Sequence, residues 1–464
     1  MNARQQQILF LTVMAPAVIY VFCRAAILDF TYDECWTFLG YASGNLGHII
    51  TNIPYPAANN HVLHSLLMYA MRLLFGNEEF FLRLPVVLSM IPFGFYAFQV
   101  MKRLSPTSAW LGLIVLIYQP YLLDYFVLAR GYGIALAALM FSWHFFLKYV
   151  EEGQSRDRIL SIVGGIIAAW ANFTFLLPYL IVIGLIGLVN VLKDKSWDKH
   201  FWRDVAIAIL VPILLFSLPI YQLIEANELY YGGVKSFYED TLTSVAYSIS
   251  YHNLPGTYLA PLLLAILLSA IPFVRLLRGQ LMKADSLTAL IPIAIGIASI
   301  LQHHLLDSPY LIDRTAIMLI PFMVFSVVII HGRSKHPWMR RIGILCILVA
   351  TGLNFGLAFN LSHTVDFKEY ADVKSAMKLI EESIETDEPI TIGKSVYLNA
   401  PINFYAQEMN NLAVNASGLD YCAESPVYLL FERDTVCVAE KNVVLLKRFE
   451  TSGLHVYKSE SLPL

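Results

Sequence analysis

Apolar runs long enough to form membrane-crossing helices recur from the start of this chain to about residue 360, each broken by a short polar segment. The first, Ile8 to Leu28, would be about 30 Å long as a helix, the thickness of a bilayer's hydrocarbon core. Basic clusters fall at Lys102-Arg103, Lys148 to Arg158, Lys193 to Arg203, Arg275 to Lys283 and Arg333 to Arg341. Between them lie loops poor in basic residues: Asp124 to Arg130, Asn172 to Leu177, Ile224 to Thr257 and His303 to Arg314. The positive-inside rule puts the first set in the cytoplasm and the second outside. The predicted spans are 8–28, 84–101, 107–123, 131–148, 159–173, 176–192, 205–222, 257–275, 286–302, 314–331 and 342–360, about eleven in all. The stretch 159–192 reads as a tight hairpin turning at Asn172-Phe173-Thr174.

His61 to Phe75 breaks the pattern. As a helix it is only about 22 Å long, and counting it as a span would invert every later loop. Its polar residues His61, His64, Ser65, Tyr69 and Arg72 recur at helical spacing and make one polar face. That predicts an amphipathic helix lying in the membrane interface. After Asn360 the pattern changes again. Phe367 to Ile384 has helical periodicity, while Pro389 to Ile392, Val427 to Phe431, Val443 to Leu446 and Leu454 to Tyr457 read as strands. The expected organisation is a transmembrane domain over 1–363 and a small soluble α/β domain over 364–464. An odd number of spans with a cytoplasmic N-terminus places that domain outside.

Composition agrees. Of 464 residues, 57% are hydrophobic and only 14% charged, against about a quarter charged in soluble domains. This is a polytopic, mainly α membrane protein. The net charge of −3 says little about partners, since placement matters more than the sum, and no nucleic-acid partner is expected. The first segment lacks a small-residue cleavage site and is expected to remain as an anchor. Five cysteines show no metal-ligand spacing. Cys422 and Cys437 either form a disulfide in the external domain or remain as two unpaired structural cysteines.

The candidate chemistry gathers on the external side. Asp33-Glu34 follows the first span, and carboxylates so close to lipid are costly unless used. The same loop holds Asn60, His61 and His64 and ends at Arg83; Asp124, Arg130, Tyr310 and Arg314 lie in later external loops. Arg83, Arg130 and Arg314 each stand where a span begins from outside. One such arginine alone is best read as an anchor, but three beside carboxylates suit an anionic headgroup, because guanidinium binds phosphate bidentately. His303-His304 with Asp307, and His61 with His64, carry metal-ligand residue types. Adjacent histidines do not easily chelate one ion from a helix, so hydrogen bonding to substrate is the preferred reading. No cofactor is expected; a divalent metal is the alternative, which the ligand spacing does not support.

These segments resemble a known family. Asp33-Glu34 after the first helix is similar to the polytopic GT-C glycosyltransferases, especially the protein O-mannosyltransferase and aminoarabinose-transferase group, glycosyltransferase family 39. Asn59-Asn60-His61-Val62-Leu63-His64 resembles that group's Asn-His-Pro-Pro-Leu segment, with Val62 in place of the first proline. Phe75-Gly76-Asn77-Glu78-Glu79-Phe80-Phe81-Leu82-Arg83-Leu84-Pro85 resembles its FG-x-x-E-F-x-x-R-L-P segment. Ala129-Arg130-Gly131-Tyr132 is similar to its A-R-x-Y signature, and Asp313-Arg314-Thr315 stands where its late Arg-Tyr element lies. The resemblance covers roughly the first 150 residues well and later spans in outline.

The resemblance implies a GT-C-type bundle with interfacial helices in the first external loop, and a polyprenyl-phosphate-linked sugar as donor at the outer face of the cytoplasmic membrane. The acceptor is a glycan, lipid or protein hydroxyl. Its proton needs a base, assigned to Asp33, with Glu34 orienting it or binding acceptor. Arg130 and Arg83 would stabilise the leaving phosphate, and direct displacement would invert the anomeric centre. His61 and His64 would line the sugar pocket or guide the lipid. The rival readings are a non-catalytic GT-C homologue and a lipid-linked glycan transporter or flippase. Transporters usually place ionisable groups at the midplane, whereas here charges crowd one face.

Overall fold

A computed structural model describes residues 3–53, 56–192, 199–251, 283–383, 390–407 and 424–460. The expected span 257–275 and Cys422, one half of the expected cysteine pair, lie outside the described residues. The chain divides into two compact units. Met1–Phe22, Leu46–Leu67 and Arg83–Phe359 form the first; Cys23–Asn45, Met68–Leu82 and Asn360–Leu464 form the second.

Among the described residues, seven helices are long and apolar enough to cross a membrane: Arg4–Ile27, Glu79–Leu104, Tyr132–Glu152, Phe173–Leu192, Lys199–Glu225, Ala284–Leu306 and Pro337–Ala358. A further pair, Ala109–Ile117 and Pro120–Val127, is apolar enough only when taken together and is bent by 58°, as in a broken span or a re-entrant loop. The expected span 107–123 and the loop after it are thereby corrected. Pro120 has no N–H and its ring clashes with a preceding helical carbonyl, so the helix stops and restarts, with Gln119 Oε1 accepting the Leu122 N–H at 2.9 Å. Asp124 consequently lies on a buried helix, not in an external loop. The expected span 159–173 appears as the helix Ser155–Ala171 of 17 residues, and 314–331 as the shorter helix Leu319–Arg333 of 15. Val62–Phe75 forms the short separate helix that its polar face predicts.

Three kinds of contact join helices of the first unit. Trp143 is fully buried, donates to Thr288 Oγ1 at 3.2 Å and meets Phe322 edge-on, joining three helices. Gly165 lets the Tyr179 ring approach where a Cβ would lie 2.5 Å from it, the small-residue contact favoured between helices in lipid. At one end, Arg158 Nη2 lies 2.7 Å from Asp204 Oδ2, both buried, and Arg203 takes the other carboxylate oxygen. Leu214 and Leu345 stand 79% and 63% exposed, apolar faces suited to lipid.

The second unit contains a four-stranded sheet of β1 (Ile392–Lys394), β2 (Val427–Phe431), β3 (Val443–Arg448) and β4 (Leu454–Ser459), in the order β1-β2-β4-β3. The β1–β2 pair is parallel and the others antiparallel. Helices Val373–Ser383 and Asn399–Ala406 belong to this unit, the second of them unforeseen from the periodicity.

Candidate functional site

In the first unit, the polar residues before Val62–Phe75 fold around Arg130. The loop is set by Asn60, which is 1% exposed. Its Nδ2 donates to Ile49 O at 2.9 Å and to Asn52 Oδ1 at 3.1 Å, while its Oδ1 accepts from Ser65 Oγ at 2.8 Å. Asn52 sits at φ +60°, a left-handed conformation that asparagine tolerates. With the loop so held, Arg130 Nη1 donates to the Asn59 side-chain oxygen and to its carbonyl, and Nη2 faces His61 Nε2 at 3.1 Å.

Guanidinium can only donate, so His61 Nε2 must accept. The ring also makes a hydrogen bond with the Ala171 backbone. Asn172 Nδ2 lies 3.0 Å from His61 Nδ1. Asn172 also accepts from Thr174 N and Thr174 Oγ1, making the hairpin turn. Gly131 permits this crowding: a Cβ there would stand 1.8 Å from Ala171 O and 2.6 Å from His61 Nδ1. The Tyr132 ring centroid is 5.1 Å from that of His61.

Burial, then Arg130, His64 and Arg314, hold His61 well below its ordinary pKa. His64 is held down at about 3 by burial and Arg130. It is fully buried, and neither ring nitrogen has a hydrogen-bond partner among the described residues.

The other predicted residues are placed as follows. Arg83 is fully buried near the start of Glu79–Leu104. Asp124 accepts from Tyr251 Oη at 3.0 Å. Tyr310 pairs its backbone with Gly233 and stacks on His303 at 4.2 Å. Arg314 lies 4.8 Å over the Tyr231 ring. Among the described residues, no three His, Cys, Asp or Glu side chains gather as a metal-binding group.

In the second unit, Thr31 caps the helix Tyr32–Thr37. Glu34 is fully buried and its Oε2 accepts from Thr31 N at 3.0 Å and Thr31 Oγ1 at 3.1 Å, completing a capping box. Asp33, one residue earlier, is half-buried. Burial, then Glu369 and Asp33, raise the Tyr370 phenol. Tyr32 meets Trp36, Tyr370 and Tyr397 with ring centroids 6.4, 6.4 and 5.9 Å away. Asp33 is therefore a carboxylate beside a group of rings, and Glu34 a structural cap. Asn59, Asn172 and Glu79 were not among the predicted site residues, although Asn59 and Glu79 stand within the two motif segments quoted above and Asn172 at the expected turn.

The helices and the small sheet define a GT-C-type polytopic membrane fold. The likeness is to ArnT from Cupriavidus metallidurans. Its apo crystal structure matches at 11% identity over 98% of both chains, with a TM-score of 0.57. Its structure bound to undecaprenyl phosphate matches at 14% identity over 100% of both chains, with a TM-score of 0.52. At these identities the likeness is one of fold. No family model and no curated protein matches the chain.

Proposed function

We propose that this chain is an inverting glycosyltransferase that moves a sugar from a polyprenyl-phosphate donor to an acceptor hydroxyl at the outer face of the cytoplasmic membrane. The observation that carries the reading is the surroundings of Arg130. Its buried guanidinium lies against Asn59 and His61, and burial first, then the charges of Arg130, His64 and Arg314, depresses His61. A field that disfavours a proton favours an anion, and low dielectric strengthens it. His64 adds two unbonded ring nitrogens within the same field. An ArnT-like fold, one example of which was solved with undecaprenyl phosphate, supports a lipid phosphate as that anion.

In this reading Asp33 takes the acceptor's proton as its oxygen attacks the anomeric carbon, and the sugar–phosphate bond breaks from the opposite side. The phosphate leaves on its lipid, stabilised by Arg130, with Arg83 and Arg314 as further cations; Tyr132, Asn60, Asp124 and Tyr310 are proposed to shape the surrounding pocket. Asp33→Asn should abolish transfer with expression unchanged, measured as loss of labelled sugar from the cells' own polyprenyl-phosphate lipids. Wild-type turnover in that variant removes Asp33 as base.

A further inference from the structure

The second unit contains a buried polar network that the assignments above do not use. Glu79 is 9% exposed. Its Oε1 accepts from Tyr405 Oη at 2.5 Å, and its Oε2 lies 3.3 Å from Lys374 Nζ. Tyr405 Oη in turn accepts the Phe30 N–H at 2.7 Å. Beside it, Asp29 Oδ2 accepts the Lys374 N–H at 2.9 Å. Burial and the Glu79 carboxylate keep the Tyr405 phenol protonated, so it donates to one partner while accepting from the other. On the far side of Asp33, the Phe38 ring meets Phe404 edge-on at 5.1 Å, and Phe404 also stacks on Phe30 at 4.9 Å.

Residues 29–38 are thus held on both flanks of Asp33 by side chains from beyond residue 370. Apolar packing alone would retain such a loop at lower desolvation cost. A directional network does something different, because it fixes the position of the backbone that carries Asp33. Phe30 N lies three residues before the carboxylate, and the capping box of Thr31 and Glu34 transmits its placement directly into the helix Tyr32–Thr37.

We propose that Tyr405 and Glu79 are positioning residues for Asp33, so that the C-terminal segment serves the transfer step itself. This rests on the reading of Asp33 as base. The test uses the full chain in membranes, supplied with a total polyprenyl-phosphate-sugar extract of the same cells at limiting and saturating amounts. Tyr405→Phe keeps the ring and loses both hydrogen bonds. It should lower kcat about ten- to hundredfold with KM little changed at a temperature where the variant stays fully folded, while hydrogen exchange at the Phe30 amide rises and the thermal midpoint falls, because Glu79 and the Phe30 N–H lose a buried partner. Glu79→Gln, whose amide oxygen still accepts from Tyr405, should retain most of the rate, and Glu79→Leu should fall as far as Tyr405→Phe. The proposal is overturned if Tyr405→Phe turns over like wild type while Asp33→Asn is inactive. It also falls if the rate lost tracks only the folded fraction. Wild-type turnover in Asp33→Asn overturns the base assignment and the positioning role with it.

Discussion

Gly131 carries more of the Arg130 site than its lack of a side chain suggests. The Cβ of Gly131→Ala would overlap backbone oxygen of Ala171 and press on His61, and neither yields as a flexible side-chain end would. Overpacking of that kind costs about 1–3 kcal/mol, and here it would also displace the ring that Arg130 contacts. Thermal unfolding should show that loss together with a fall in transfer. His64→Leu should behave oppositely. Removing two unbonded nitrogens should leave stability unchanged or raise it by about 1 kcal/mol, while transfer drops about tenfold if the ring meets substrate. A less stable variant would mean the nitrogens are satisfied. Both histidines also set a pH response. Unfolded, each titrates near 6.5; folded, His64 does so at about 3. Above pH 6.5 neither contributes. As pH falls below it the unfolded chain gains protons that the native state refuses, so stability drops by about 1.4 kcal/mol per pH unit for each histidine. Unfolding followed from pH 7 to 4 should show this acid limb, and His64→Leu should make it shallower. His61, His64 and Arg130 were legible as a polar helix face and a charge at a span boundary. Asn172 was not, because it lies 111 residues from His61 and was readable only as a turn.

At the scale of elements, hydrophobic length and proline position explain most boundaries. The Pro120 break was concealed because the run 107–123 is apolar on average, and hydropathy does not register a missing N–H. The strand β2 was expected at Val427 to Phe431 and lies there, since a fully apolar run between turns is a strong strand signal. Two elements invite direct tests. The helix Tyr32–Thr37 is only six residues long, so its cap matters: Thr31→Ala should cost about 1 kcal/mol, read as a lower thermal midpoint. The ends of Ser155–Ala171 and Lys199–Glu225 meet through the buried Arg158–Asp204 pair. Asp204→Asn leaves a buried guanidinium without its main counter-charge and should cost about 3–5 kcal/mol. The double variant Arg158→Met/Asp204→Leu should recover most of that.

For the whole molecule, loss of the gene should make one polyprenyl-phosphate sugar accumulate while an external glycan, lipid or protein loses that sugar. Mass analysis of both pools names donor and acceptor together, and no change in either would favour transport or assembly. The membrane class, most of the long apolar helices among the described residues and the small C-terminal sheet were determined by the sequence alone. Each depends on local quantities: the length of an apolar run against bilayer thickness, the period of its polar positions, and charge beside its ends. The tertiary structure decided that Asn59, Asn172 and Gly131 enclose Arg130 and His61. It also decided that residues 23–45 and 68–82 form one unit with 360–464, with Glu79 and Tyr405 joined beside Phe30. Those contacts link positions up to 375 residues apart, and hydrogen bonds between single buried polar side chains leave no periodic trace along a chain.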